Sequence, residues 1–468
     1  MVVAPAGPEG YPPGAPSPGL ALGAAPAPKR AGGKRLLWLS LLITGIALSG
    51  LAVLVYVGWN IGPVALGVGI AAAILPVPVL VGCFLWLDRY EPSPLRYLSL
   101  CFAWGACVAT GGALAVNTGA SVLFERLALP DDLVGVFVAP FIEELLKAAF
   151  PILLFVFRRR AFSGLIDGIV YCGLSATGFA MVENILYLGG HGYASASQEG
   201  GVAAGAFAVT LIFIVRVPLS GFLHPLFTSI TGIGLGIAAR SPSRWVRFVA
   251  PLAGLLVAMM LHGTWNLMAT LAQNDALYLL YGYVAVFTPI FFGMLGLVLW
   301  LRSWEGRLAE RVLPVYAAAG WFSPPEVAAL GRLGRRLSAR RWAKRVAGDA
   351  GQTAMRRYQM AATQLALVRD GIDRGLYDQP RDIAGALAEE QRLLTTIDAY
   401  RKVFAGRDPI TPRAWWSNGA YQIQFPDGVV RTVAAPVLPV VPVPLALTPP
   451  MAPPAGPAPW LPPGVTAH

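Results

Sequence analysis

The segment Glu143-Glu144-Leu145-Leu146-Lys147 sets two carboxylates and an ammonium inside an apolar stretch running from Val134 to Phe157. At membrane length, each such charge costs roughly 2.5–3.5 kcal/mol on insertion scales, so a chain that keeps three in one span is using them. Three later apolar stretches add Glu183-Asn184, His224, and His262 with Asn266. Together they offer Glu143, Glu144, Glu183, His224 and His262 as acids and imidazoles. A carboxylate in a dry site can take a proton from water, and two neutral imidazoles with a carboxylate can hold zinc with an open water position. Asn266 lies at i+4 from His262 on one helix face and is suited to donate a hydrogen bond to a developing oxyanion. The chemistry this predicts is hydrolysis of a peptide carbonyl where bulk water is scarce. Adjacent helical residues point about 100° apart, which singles out Glu143 as the water-activating residue and gives Glu144 a supporting part.

Each of these residues also has a plain structural reading. Glu143 and Lys147 at i,i+4 could form an internal salt bridge that makes the helix tolerable. A lone intramembrane histidine could be a hydrogen-bonding group only, and Glu183-Asn184 an interhelical clamp. Arg216 could snorkel or pair with a carboxylate, Asp167 reaches the inner interface, and Asn117 has no assigned role. What favours chemistry is concentration. Four consecutive spans carry acids or imidazoles, whereas the first three are almost free of them. There is no His-Glu-x-x-His, no Gly-x-Ser-x-Gly and no Gly-rich phosphate loop.

The elements that position these residues are predicted to be membrane helices. The chain is 56% hydrophobic and only 13% charged, well below the usual quarter. Spans are predicted at about 36–58, 61–87, 97–124, 134–157, 164–190, 203–239, 246–272 and 277–301. The sixth is overlong and interrupted by Arg216 and Pro218, and it reads as one tilted or kinked helix. A single crossing there puts every basic cluster on one side: Lys34-Arg35, Arg89 and Arg96, Arg158-Arg159-Arg160, Arg240 to Arg247, and Arg302 onward. The positive-inside rule then gives about eight spans in the cell membrane with both termini cytoplasmic. The net charge of +11 follows this loop pattern and brings no groove-reading or base-stacking motif, so nucleic acid is not an expected partner. Cys83, Cys101, Cys107 and Cys172 are scattered through spans and read as core thiols. The first span, with Lys and Arg before it, reads as a retained signal anchor.

The expected fold is therefore all-α: a polytopic membrane protein with a small, mostly helical cytoplasmic region and disordered termini. Its parts are a Pro/Ala/Gly-rich N-terminus (1–35), an eight-helix domain (36–301), a basic cytoplasmic region (302–434) and a Pro-rich tail (435–468). Within the third part, Arg332, Arg335, Arg336, Arg340, Arg341, Lys344 and Arg345 with Leu330, Leu333 and Leu337 predict a helix on the anionic inner leaflet. Leu365 to Leu376 and Ile383 to Ile397 predict a helical hairpin, and Tyr421 to Val433 a β-hairpin turning at Pro426-Asp427-Gly428.

In order and approximate spacing, these residues resemble PrsW-type intramembrane proteases. Glu143-Glu144-Leu145-Leu146-Lys147 is similar to that family's Glu-Glu-x-x-Lys motif, and Phe179-x-x-x-Glu183-Asn184 to its second motif. His224 and His262 match its later histidines. The likeness covers about residues 36–301 and extends to the CAAX-protease and bacteriocin-processing superfamily, where histidine usually stands in place of Glu183 and the last motif resembles His262-x-x-x-Asn266. It implies an eight-helix protease acting on a membrane-protein substrate such as an anti-sigma factor. Glu143 and Glu144 would activate water, with Glu183, His224 and His262 forming a metal or polar site. Both a zinc and a glutamate mechanism stay open, and so does a different class: a membrane scaffold or an ion or proton transporter using the same acids and histidines.

Overall fold

The computed structural model describes residues 33–89, 92–162, 164–319, 321–377, 380–405, 407, 414–417, 420–424 and 429–434. The expected N-terminal and C-terminal disordered segments lie outside these residues, apart from the helix start at Gly33. The chain divides into two units, 1–48 and 49–468. The first contributes the opening of α1 (Gly33–Ile61), where Leu36, Leu37 and Trp38 are exposed.

Long apolar runs become helices because every backbone polar group must be satisfied within the segment that crosses lipid. After α1 come α2 (Pro63–Ile74) and α3 (Val77–Leu87), which divide one apolar run at Leu75-Pro76. α4 (Leu95–Ala103) continues through a π-helical turn into α5 (Thr110–Arg126). α6 (Ala139–Phe157) carries the paired glutamates and α7 (Leu165–Ile185) carries Glu183. α8 (Ser195–Ile214) turns at Gly201, whose φ of 72° suits glycine. Tyr193 and Ser197 before that turn lie against Gly205 after it, so the chain doubles back there. α9 (Leu223–Ala239) bears His224, α10 (Arg244–Leu271) bears His262, and α11 (Leu277–Gly282) and α12 (Thr288–Val312) follow.

This is a nearly all-helical, multi-pass membrane protein. Among the described residues, six helical runs are long and apolar enough to cross a membrane by length and composition, which does not confirm the expected count of eight. The difference has identifiable causes. α6 holds three ionisable residues, and Leu165–Ala239 counts as one 75-residue run although it doubles back at Gly201 and breaks between Leu219 and Leu223. The second break falls within the overlong sixth span, just after Pro218.

Small residues set the closest helix contacts. A Cβ at Gly232 would overlap the carbonyl oxygen of Gly168, and one at Gly236 would overlap Leu165, so α7 and α9 touch backbone to backbone. α7 is buried along most of its length. Outward, Phe137, Val156, Phe207, Phe248, Met260 and Phe292 are exposed, as a lipid-facing surface requires.

The basic ends of the spans converge. Arg302 lies 3.3 Å above the Trp86 ring and donates to its carbonyl (2.8 Å), and Arg159 donates to the Ala239 carbonyl (3.3 Å). Nearby, the Ser93 hydroxyl lies 3.1 Å from both Asp88 Oδ1 and Asp167 Oδ1, a buried acid pair bridged by one serine.

Beyond Arg302 a separate core forms. α13 (Pro314–Ala318), α14 (Pro324–Leu330), α15 (Leu333–Asp373, broken at Ala347-Gly348) and α16 (Pro380–Phe404) bury Phe322, Trp342, Tyr358, Leu365, Ile397 and Phe404. α15 and α16 pack as the expected helical hairpin. The basic stretch is more engaged than expected: Leu330, Ala339, Trp342 and Ala343 face this core. Arg336 is buried, donating to the Leu330 carbonyl (2.6 Å) and to Thr363 Oγ1 (2.8 Å). Leu337, Arg341, Lys344 and Arg345 remain exposed. A three-stranded antiparallel sheet closes the described chain: β1 (Ala414–Ser417), β2 (Ala420–Gln424) and β3 (Val430–Val433). The β2–β3 pairing fits the expected hairpin, with Tyr421 opposite Val433. Its Pro426-Asp427-Gly428 turn lies outside the described residues.

Candidate functional site

Glu143, Glu144 and Lys147 share a helix at i, i+1 and i+4, so Lys147 stands one turn from both acids. Its Nζ donates to Glu143 Oε2 (3.3 Å) and Glu144 Oε1 (3.0 Å) and lies 3.1 Å from His224 Nδ1. Lys147 and Glu144 are fully buried, and Glu143 is 8% exposed. The lysine also sits 4.1 Å from the Phe179 ring. Its helix is held by backbone carbonyls: Ser175 donates to Lys147 O (2.7 Å) and Trp104 to Leu146 O (2.9 Å).

α9 and α10 bring the imidazoles to this pair. His262 Nδ1 lies 3.1 Å from Glu144 Oε1, and its Nε2 lies 3.9 Å from Glu143 Oε2. The two glutamates thus both reach His262, one at each ring nitrogen, despite their divergent directions on α6. His224 and His262 meet edge to face with centroids 5.0 Å apart, and Phe227 stacks on His262. Behind His224, Nε2 contacts Glu183 Oε2 at 2.8 Å. Arg216, from the turn that follows α8, donates to Glu183 (2.6 Å) and to Asn184 Oδ1 (2.8 Å) and lies over Tyr187. Of the roles open to Arg216, carboxylate pairing is the one seen.

The five acids and imidazoles singled out in the sequence come together, while Asn266 goes elsewhere. Its amide donates to Gly135 O (2.8 Å), tying α10 to the turn that precedes α6. Two partners were missed. Thr228 donates to Glu144 Oε2 (2.7 Å), and Asn117 donates to Glu143 Oε1 (3.3 Å). Thr228 stands at i+4 from His224, the same spacing that linked Glu143 to Lys147, but its hydroxyl also lies 3.2 Å from the His224 carbonyl, so spacing alone did not mark it.

Among the described residues, one set of donors lies close enough to hold a metal. Atoms of Glu143, His224 and His262 lie within 4.8 Å of one another, a carboxylate with two imidazoles. The donor set fits zinc in kind. The carboxylate in it is Glu143, where the sequence reading had placed Glu183, whose oxygen is taken up by Arg216 and His224. Lys147 brings a positive charge to the same donors, and any metal shares them with that ammonium.

Residues 93–294 match the model of a family described as PrsW family intramembrane metalloprotease. The chain is 29% identical over 218 residues to Protease PrsW of Bacillus subtilis (strain 168), covering 45% of this chain and 87% of that protein. It is 27% identical over 210 residues to Protease PrsW of Geobacillus kaustophilus (strain HTA426), covering 42% and 77%. Against Protease PrsW of Clostridioides difficile (strain 630) it is 26% identical over 219 residues, covering 46% and 85%. No solved structure matches the chain.

Proposed function

Residues 93–294 are a PrsW-type protease region, and from that premise we propose an intramembrane endopeptidase that hydrolyses a peptide bond of a membrane-protein substrate. An anti-sigma factor is the substrate class we favour. The observation that carries this reading is the buried convergence of Glu143, Glu144, His224 and His262 from three helices around Lys147.

The two glutamates divide the work by how committed they are. Glu144 is held at both oxygens, by Lys147 and His262 on one and by Thr228 on the other. It fixes the lysine and one imidazole in place. Glu143 is the less enclosed, with longer contacts to Lys147, Asn117 and His262. It is the carboxylate positioned to take a proton from an attacking water and to return it to the leaving amine. Glu183, fixed by Arg216, orients His224 through its Nε2.

Where a metal is used, Glu143, His224 and His262 would hold it, with Glu183 supporting His224. Zinc there would polarise the carbonyl and make its bound water acidic. Stoichiometric zinc in purified protein, lost in His262→Ala, would support that version. Full cleavage by zinc-free protein would leave the glutamate version. The remaining parts of the proposal are eight spans within 36–301, both termini cytoplasmic in the cell membrane, and an inner-leaflet contact through exposed Arg341, Lys344 and Arg345.

The test is site-specific cleavage. Purified full-length protein in liposomes should release a defined product from at least one member of a panel of single-span proteins that includes anti-sigma factors. The Lys147 ion pairs also suit a helix clamp or a proton relay. Proton flux in the same liposomes, lost in Glu183→Gln and without any cleavage product, would favour that reading.

A further inference from the structure

Where the basic ends of the spans meet the helical hairpin of α15 and α16, the protein forms an open-sided cavity of about 590 Å³. Small-molecule sites usually measure about 300–1,000 Å³, so this is ligand-sized. Its lining is net positive. Arg159, Arg240, Arg244, Arg247 and Arg392 contribute five guanidinium groups. Against them stand Asp382 and Glu389, and Glu389 is itself paired with Arg392.

The membrane side of this cavity is built from the ends of the site-bearing helices. α6 stops at Phe157, two residues before Arg159. α9 ends at Ala239, whose carbonyl accepts from Arg159, and α10 begins at Arg244. The cytoplasmic side comes from α15 and α16, through Leu367, Val368 and Ala386. Arg240 joins the two sides by an ion pair with Asp370. The cavity therefore lies between the basic helix ends and the hairpin, with four arginines from the first and an apolar patch beside Asp382, Glu389 and Arg392 from the second. Arginine forks match phosphate oxygens bidentately, which makes phosphate the anion such a lining suits best.

We propose that this cavity binds a phosphate-bearing anion at the inner membrane face. The shared chemistry is a phosphate group. Its source is either the headgroup of an anionic phospholipid or a soluble phosphorylated molecule, and the two are separable. The proposal does not depend on the protease reading, because it is tested by binding.

The full-length protein is placed in nanodiscs of equal parts phosphatidylcholine and phosphatidylglycerol, and retained lipid is read by native mass spectrometry. In parallel, inorganic pyrophosphate is titrated calorimetrically into protein in phosphatidylcholine nanodiscs. Arg244→Gln with Arg247→Gln should weaken whichever ligand binds on the order of tenfold or more, as loss of charged hydrogen bonds implies. Arg244→Lys with Arg247→Lys should retain part of it, which separates loss of the site from loss of folding. Arg356→Gln with Lys402→Gln, both exposed and outside the cavity lining, should leave it unchanged. Retained phosphatidylglycerol identifies the headgroup, and pyrophosphate heat identifies a soluble ligand. Binding of neither, or equal binding in the glutamine variants of residues 244 and 247, would overturn the proposal.

Discussion

Glu143 and Glu144 differ by one position and by how many partners hold them, and that difference predicts different failures. Glu144→Gln leaves Lys147, His262 and Thr228 facing a neutral amide in a fully buried place. Breaking a buried ion pair by removing one partner costs about 3–5 kcal/mol, so this variant should lose thermal stability in detergent as well as activity. Glu143→Gln, at a less enclosed carboxylate, should unfold near the parent temperature and lose activity alone. Thr228→Val should cost about 1–3 kcal/mol for one lost hydrogen bond to a charged group, and differential scanning fluorimetry would measure all three. At this scale much of the site was legible. Acids and imidazoles in apolar spans are costly enough to stand out, so Glu143, Glu144, Glu183, His224 and His262 were found. Thr228 was not, because a helical threonine hydroxyl can satisfy itself on the carbonyl four residues back and costs little wherever it sits. Asn266 shows the converse: an i+4 spacing from His262 is necessary for a shared role, yet its amide serves Gly135.

Between elements, glycines decide how near His224 comes to the glutamates. α9 reaches α6 and α10 while its backbone rests on α7 through Gly168 and Gly232. Gly232→Ala should push α7 and α9 apart, cost about 1–3 kcal/mol as overpacking does, and lower activity more than its distance from the acids suggests. Thermal unfolding and cleavage measured on the same preparation would check it. A second element-level device is the Asp88–Ser93–Asp167 bridge beside the start of α7. Burial, and then the charge of Asp167, push Asp88 from 3.8 up to about 7. The folded state therefore holds a proton that the unfolded chain releases near 3.8. Stability present below that value is lost as pH rises through about 7, at about 1.4 kcal/mol per pH unit within the window. The unfolding temperature of the parent should fall between pH 5 and 7, and Asp88→Asn should flatten that fall. An unchanged slope in the variant would remove Asp88 as its cause. Spans were readable here from apolar length, whereas the count of eight is not confirmed by length and composition. Hydropathy sees neither the doubling back at Gly201 nor that α6 belongs with the other helices despite its three charges.

Across the whole molecule, two chemistries of cohesion stand side by side. The membrane helices are held by close backbone approach and a few buried ion pairs, whereas the region after Arg302 has an ordinary apolar core. Within that core Glu326 meets Arg401 (3.1 Å), Tyr358 (3.0 Å) and Ser323, all buried. Arg401→Met should strand Glu326, cost about 3–5 kcal/mol, and open residues 302–405 to limited proteolysis before the membrane helices. The hairpin of α15 and α16 was legible from its apolar spacing. The inward turn of Arg336 was not, since charge alone predicts an outward side chain, and the carbonyl of Leu330 with the hydroxyl of Thr363 explains the exception.

One measurement reaches the proposed catalytic cluster directly: cleavage of a single-span substrate by purified full-length protein in liposomes, compared between the parent and Glu143→Gln at equal folded amounts. Glu143 is either the base that activates water or the carboxylate that holds a metal, so its loss removes activity in both versions. The expected result is product from the parent and a loss on the order of 10²–10⁴-fold in the variant, as removal of a general base gives. Equal product from the two proteins would contradict a catalytic role for the buried glutamate.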